Sequence, residues 1–324
     1  MTAARRRRRL WVRGADGERG AVAVAVALLF PLLFGAAALA VDTAAVWNAR
    51  TQVFSSVDAF ALAAAMDCAE QDCPTKEEGE AMISHYGITN NSGAKLASLQ
   101  PGTGWLQTDP AQRATRGQGT WSIRHYFGGV LGVPEVELTV ETMARWAGLP
   151  QATSGLSLAV SYCSYRTALN AGNLASNRAT ATLSLSTVTT GSCTTPDGTA
   201  VRGATALTEQ TGSACRTAST AGTTTATVAT APACTAAYLA SLVGTDVVLP
   251  VYDQSSPTSV RVYGYAAFRV TSVTSGAPST VTGYFTYTAR QIDTPTAMPT
   301  APDLGARGVF LWDPADWQGT RCPC

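Results

Sequence analysis

Histidine occurs twice, at His85 and His125, and lysine twice, at Lys76 and Lys95, in 324 residues. So little imidazole leaves scant material for general acid–base work. No HExxH, GxSxG, P-loop or GxGxxG run is present. Their absence removes the common signatures of zinc proteases, serine hydrolases and nucleotide-binding enzymes. Asp253-Gln254-Ser255-Ser256-Pro257 approaches a DxSxS metal-adhesion motif but lacks its second serine. No pair of CxxC motifs exists, which argues against a structural zinc site. Charged residues make up only 14% of the chain. Between Ala21 and Val41 there are none.

That uncharged run is the feature around which the chain is organised. Its 21 residues form a helix about 31 Å long, against a bilayer hydrocarbon core of about 30 Å. Pro31 lies inside it, where a membrane helix tolerates a kink. Beyond Asp42 the pattern becomes one-sided. Val46, Val53, Val57, Phe60 and Ala64 recur at helical spacing, with Asn48, Arg50, Gln52, Ser55 and Asp58 between them. This predicts one long helix, with its first half in a membrane and its second half laid on a folded domain. Arg5, Arg6, Arg7, Arg8, Arg9, Arg13 and Arg19 all precede the run. Basic residues on one short flank predict an N-terminus in the cytoplasm and the bulk of the chain outside. A nucleic-acid patch is the alternative for five consecutive arginines, and the adjacent span favours topology. Ala38-Leu39-Ala40 offers a signal-peptidase site. The run exceeds an ordinary signal core, however, and the helical pattern continues through the cut, so the segment reads as a retained anchor.

Eight cysteines lie on the expected outer side: Cys68, Cys73, Cys163, Cys193, Cys215, Cys234, Cys322 and Cys324. An even number outside the cytoplasm points to disulfides, with the connectivity open. Cys68 and Cys73 flank a short turn and are expected to pair. Cys322 and Cys324, one residue apart, are expected to pair elsewhere.

After the long helix, Thr75-Lys76-Glu77-Glu78 is a capping-box pattern that opens a short helix ending near Gly87. Residues 89–118 read as loop with one strand at most. Residues 120–124 form a strand, and His125–Gly132 a turn. Val136, Leu138 and Val140 then alternate with Glu137, Thr139 and Glu141 as a half-buried strand whose glutamates face solvent. Gly148-Leu149-Pro150 marks a boundary. Leu156, Leu158 and Val160 alternate before Cys163. A Thr/Ser/Ala/Gly-rich tract over 176–235 reads as disulfide-stapled loops and short strands, followed by a short helix at 238–243. Residues 246–252, 260–272 and 281–290 read as three antiparallel strands. Tyr263, Tyr265, Tyr284, Phe285 and Tyr287 form either their cross-strand core or an exposed binding stripe. The stretch 302–324, with Trp312 and Trp317, is expected to pack back on that sheet.

Arg19-Gly20-Ala21-Val22-Ala23-Val24, the run through Pro31, Val41-Asp42 and the alanine-rich segment Asp58–Ala65 resemble the TadE/TadG-like proteins of tight-adherence (Flp) pilus assembly. The resemblance extends in outline through Ala81–Gly87, Tyr126–Gly132 and Val136–Arg145. Leu249-Pro250-Val251-Tyr252-Asp253 and the segment 263–271 are similar to the distal halves of actinobacterial TadG-like proteins. Pilin-like members carry a glutamate five residues after a cleavage glycine. Counting from Gly20, that position is Ala25, which points to the anchored TadG-like branch.

The expected fold is α+β, with a transmembrane helix continuing into a pilin-like α+β unit and then a β-rich, disulfide-stapled domain. The divisions are 1–19 (basic cytoplasmic tail), 20–41 (transmembrane helix), 42–148 (TadG-like helix-plus-sheet region) and 149–324 (β-rich extracytoplasmic domain). The resemblance implies a single-pass, non-enzymatic component of Tad/Flp pilus assembly or secretion at the cell membrane, without cofactor, metal or nucleic acid. Its partners would be the lipid bilayer and other Tad/Flp assembly proteins. A cell-surface adhesin sharing only the anchor is the alternative.

Overall fold

The computed structural model describes residues 16–75, 77–79, 81–82, 85, 99–169, 174, 179–186, 188–196, 198–212, 215–227, 234–293, 295 and 299–312. The arginines Arg5–Arg9, Gly87, Trp317, Cys322 and Cys324 lie outside these residues.

Helix α1 (Asp16–Ala69) runs unbroken for 54 residues, through Pro31. At 1.5 Å per residue it is about 80 Å long. Its two halves live in different surroundings. Val24, Leu28, Leu32, Phe34 and Leu39 are each more than half exposed. Ala49, Val53, Val57, Phe60, Ala61, Ala64 and Ala65 are fully buried. The helix thus continues from the uncharged run into a docked stripe. Val46, at the top of that stripe, is half-buried.

The docked half lies on a five-stranded sheet in the order β1-β2-β3-β16-β14. These strands are β1 (Leu99–Asp109), β2 (Ala114–Arg124), β3 (Glu135–Gly148), β14 (Thr288–Gln291) and β16 (Ala306–Trp312). All neighbours are antiparallel except β14 and β16. Alanines on the helix allow close approach. Thr115 of β2 donates its hydroxyl to the Ala61 carbonyl at 3.0 Å. Trp121, Val140, Ala144, Trp146, Ala289 and Val309 complete this core.

The second sheet has the order β6-β13-β12-β11-β5-β8-β7, with β10 and β15 pairing to β12 at its margins. It comprises β5 (Leu158–Ser161), β6 (Ala181–Ser184), β7 (Val188–Thr194), β8 (Ala200–Ala206), β10 (Thr224–Ala226), β11 (Asp246–Ser255), β12 (Ser259–Thr274), β13 (Thr280–Thr286) and β15 (Asp303–Leu304). A two-stranded ribbon, β4 (Gln151–Ser154) with β9 (Thr217–Thr220), flanks it. Short helices α2 (Tyr162–Ala168) and α3 (Ala236–Ser241) are capped by Ser161 and Thr235, which accept from the amides of Ser164 and Tyr238. Leu158, Val160, Leu249, Val251, Phe268 and Phe285 sit in the main core.

Four expectations change. Of residues 89–118, expected as loop with one strand at most, 89–98 lie outside the described residues, while 99–109 and 114–118 belong to two eleven-residue strands, β1 and β2. Their glycines are packing residues. A Cβ on Gly117 would lie 2.2 Å from the Phe60 ring, and one on Gly119 2.0 Å from the Trp121 ring. The alternation of β3 begins later than expected, because Val136 is 38% exposed where the hairpin runs past the docked helix. The expected strand 281–290 breaks at Tyr287: β13 stays in the second sheet and β14 joins the first. The C-terminal return does not pack on the three-stranded group as a whole. Its first two residues, β15, pair with β12, and β16 then pairs with β3 in the first sheet. Gly305 makes that crossing possible, with φ +109° and the Thr286 carbonyl where a side chain would sit.

Two of the five stripe aromatics are core, and Tyr263 and Tyr287 are half-buried against it. Tyr265 and Phe285 are buried, and Phe285 meets Phe268 and Tyr165 edge-on at centroid distances of 5.1 and 5.0 Å. The capping box forms as expected: Thr75 N–H donates to Glu78 Oε2 at 2.8 Å, and Glu78 N–H to Thr75 Oγ1 at 3.3 Å.

Candidate functional site

The candidate site is the point where α1 passes from its bare half to its docked half. Asp42 stands there, one residue beyond the uncharged run, and only 8% of it is exposed. A buried carboxylate requires donors. The β2–β3 turn supplies them: the amides of Tyr126 and Gly128 donate to Asp42 Oδ1 and Oδ2 at 2.7 Å, and that of Phe127 to both oxygens at 3.2 Å. Desolvation pushes the Asp42 pKa up. The three amides and the nearby His125 pull it down further, so the carboxyl titrates below its ordinary value. The acceptor is therefore ionised at neutral pH and ties the turn to the helix. His125 holds the turn from inside, with Nδ1 2.9 Å from the Val133 carbonyl. It is a packed histidine.

The far end of α1 is tied by the last strand. Arg307, 5% exposed, donates from Nη1 to the Ala69 carbonyl at 2.7 Å. A cation on a terminal carbonyl complements the helix dipole. The same guanidinium pairs with Asp303, Nε to both carboxylate oxygens at 3.0 Å, and lies 4.0 Å from the Tyr287 ring centroid. Glu70, just past the helix, accepts the Ala289 amide of β14 at 3.0 Å. The docked half of α1 is thus clamped at both ends by residues far away in sequence.

Six cysteines form three disulfides: Cys68–Cys73, Cys163–Cys193 and Cys215–Cys234. The first staples the chain just where α1 ends. The other two hold the Thr/Ser-rich tract to α2 and to the start of α3. Arg19 lies within α1. Among the described residues, no three His, Cys, Asp or Glu side chains gather to hold a metal. Asp253, in the near-miss DxSxS segment, is fully buried and committed to Arg261, whose Nε donates to it at 2.9 Å and whose Nη2 also pairs with it. Glu141, on the polar face of β3, pairs with Arg116 of β2.

In the sequence Asp42 marked the change of helical pattern and stood among the residues of the family resemblance, with no tethering role, and Arg307 was not singled out. The signal for Asp42 was its place, the first charge after a run that has none. Arg307 had one partner nearby in sequence, Asp303 four residues before it, but its bond to α1 runs to the Ala69 carbonyl 238 residues upstream and carried no local signal. Comparison with protein-family models, with curated proteins and with solved structures finds no match for the chain.

Proposed function

We propose that the chain is a membrane-anchored, non-enzymatic component of a Tad/Flp-type pilus assembly or secretion apparatus. Its N-terminus is cytoplasmic and its strand-rich part extracytoplasmic. The observation that carries this reading is the division of α1 into an uncovered apolar half and a docked half that is clamped at Asp42 and at Ala69. Such a helix holds a folded body at a set height and angle above a bilayer. The arginines before the run favour the N-in orientation.

The pilus machine comes from the resemblance of residues 18–146 to TadE/TadG-like proteins. In this reading the docked half of α1 with its five-stranded sheet is the family's pilin-like α+β unit. Ala25, where a pilin-like member would carry glutamate, favours a retained anchor over a polymerising subunit. Its partners are the bilayer and the other assembly proteins of the apparatus. Deleting the gene and counting surface pili by electron microscopy tests this. Loss or altered number of pili, restored by the full chain, is expected. Unchanged pili and unchanged adhesion would overturn it.

A second reading, a surface adhesin, is favoured by a polar cleft of about 430 Å³ beside β9 and β10, lined by Thr208, Gln210, Thr217, Ser219, Thr223 and Thr225. A surface so dense in hydroxyls suits a sugar. This reading predicts that the full chain in nanodiscs binds a glycan while the deletion strain still forms pili.

A further inference from the structure

The turn held by Asp42 is unusual for a surface loop. Between Arg124 and Glu135 it carries no charged residue apart from His125, and its sequence is HYFGGVLGVP. Four of its apolar side chains are left open: Val130 is 89% exposed, Tyr126 55%, Val133 52% and Phe127 47%. Yet its backbone is nearly self-sufficient. Besides the three amides on Asp42, His125 N–H donates to the Pro134 carbonyl and Val130 N–H to that of Phe127. Gly132 N–H donates to Gly129, and Val133 N–H to Gly128. Bonded amides beneath exposed apolar side chains lower the cost of seating such a turn at the edge of the hydrocarbon, with its backbone backed by α1.

Its position supplies the occupant. The turn and α1 enclose a cleft of about 860 Å³ whose walls are almost wholly apolar. Phe34, Ala38 and Val41 line it from the helix, and Phe127, Val130 and Val133 from the turn. Phe34 lies eight residues before Asp42, so it is about 12 Å deeper along the helix. If residues 21–41 fill the hydrocarbon, whatever faces Phe34 is in hydrocarbon too. Trp47, 71% exposed, and Arg50 stand at the cleft's polar end. There an aromatic and a cation meet lipid headgroups.

We propose that the β2–β3 turn, residues 126–133, is a second membrane contact of this protein. It dips into the leaflet on the side of the strand-rich body, and phospholipid acyl chains fill the cleft between it and α1. The protein then meets the bilayer at two points, a span and a wedge, which fixes the body's rotation about the helix axis as well as its height. The inference rests on α1 being a membrane span.

The test is nitroxide accessibility in the full chain, with Cys322 and Cys324 replaced by serine, reconstituted in phosphatidylcholine–phosphatidylglycerol nanodiscs. Labels are placed at Val130→Cys, at Leu32→Cys within the span and at Val243→Cys, an exposed apolar position outside it. The ratio of oxygen to nickel-chelate accessibility at Val130 is expected to lie severalfold above that at Val243 and near that at Leu32. A ratio at Val130 equal to that at Val243, with Leu32 lipid-like, overturns the wedge and leaves the anchor standing. Low accessibility to both reagents at Val130 means protein covers it, a second copy included, and also overturns the wedge. An aqueous ratio at Leu32 overturns the span and the wedge together.

Discussion

Arg307 and Asp42 are the two residues on which the docking of α1 turns, and they act in opposite senses of charge at opposite ends of one helix segment. Removing Arg307 leaves the largely covered Asp303 with only Arg113 at 3.5 Å and the Gly305 amide at 3.3 Å, and it uncaps the Ala69 carbonyl. Breaking a buried pair from one side costs about 3–5 kcal/mol. Arg307→Ala is therefore expected to lower the denaturation midpoint of the full chain in detergent strongly. Arg307→Lys, which keeps the charge but cannot fork between Asp303 and Ala69, should fall between the two. A midpoint unchanged in Arg307→Ala would remove the clamp from the account.

The Asp42 tether has a pH signature. Its folded pKa is lowered, so its stabilisation is complete above the unfolded value, about 3.9, and is lost as the pH falls through the lower folded value. A spin label at Val130 should hold constant mobility from pH 8 down to about 4 and loosen only in stronger acid. In Asp42→Ala it should be loose throughout. Loosening near neutral pH would remove Asp42 as the tether.

At the scale of elements, the staples differ in what they hold. Cys163–Cys193 closes 30 residues, Cys215–Cys234 19 and Cys68–Cys73 only 5. Loop-closure entropy then ranks their contributions at about 3.6, 3.2 and 2 kcal/mol. Replacing both cysteines of each pair by serine and measuring chemical denaturation should reproduce that order. Mapping the bonds by mass spectrometry of unreduced peptides checks the pairing itself.

The elements also separate what local pattern reveals from what it hides. Helix α1 was legible because a charge-free run followed by a spaced apolar stripe is a local signal. So were the capping box at Thr75 and the strands β11 and β12, rich in valine and aromatics. The end of β2, residues 120–124, was legible too, but its first half was not, because Gly117 and Gly119 look like loop residues until Phe60 and Trp121 are laid over them. The break at Tyr287 and the return of β16 to β3 were hidden too. The return depends on a partner strand more than a hundred residues away, and the break on that same returning strand, with Gly305 at the crossing. At the candidate site, the apolar character of His125–Gly132 was visible as a short apolar turn. Its place beside the bare half of α1 was not, since the amides it donates to Asp42 tie it there across 84 to 86 residues of sequence.

On the scale of the whole molecule, chain from both ends of the strand-rich region builds the sheet that receives α1: β1 to β3 before residue 149, β14 and β16 near the end. The body therefore cannot shed its distal part without losing Arg307 and Val309 from the helix's seat. A load on the body is carried into α1 through both clamps, which is a property suited to an assembly component held at a membrane.

The account stands on α1 being a retained span with the body on the outer side. Intact cells expressing the chain, with an N-terminal epitope, are treated with external protease, and their membranes are then washed in alkaline carbonate. The account predicts an untreated chain of full mass in the membrane pellet. After protease, a short pelleted fragment should carry the protected epitope and residues 21–41. A chain beginning at Val41, found in the carbonate supernatant, would contradict it.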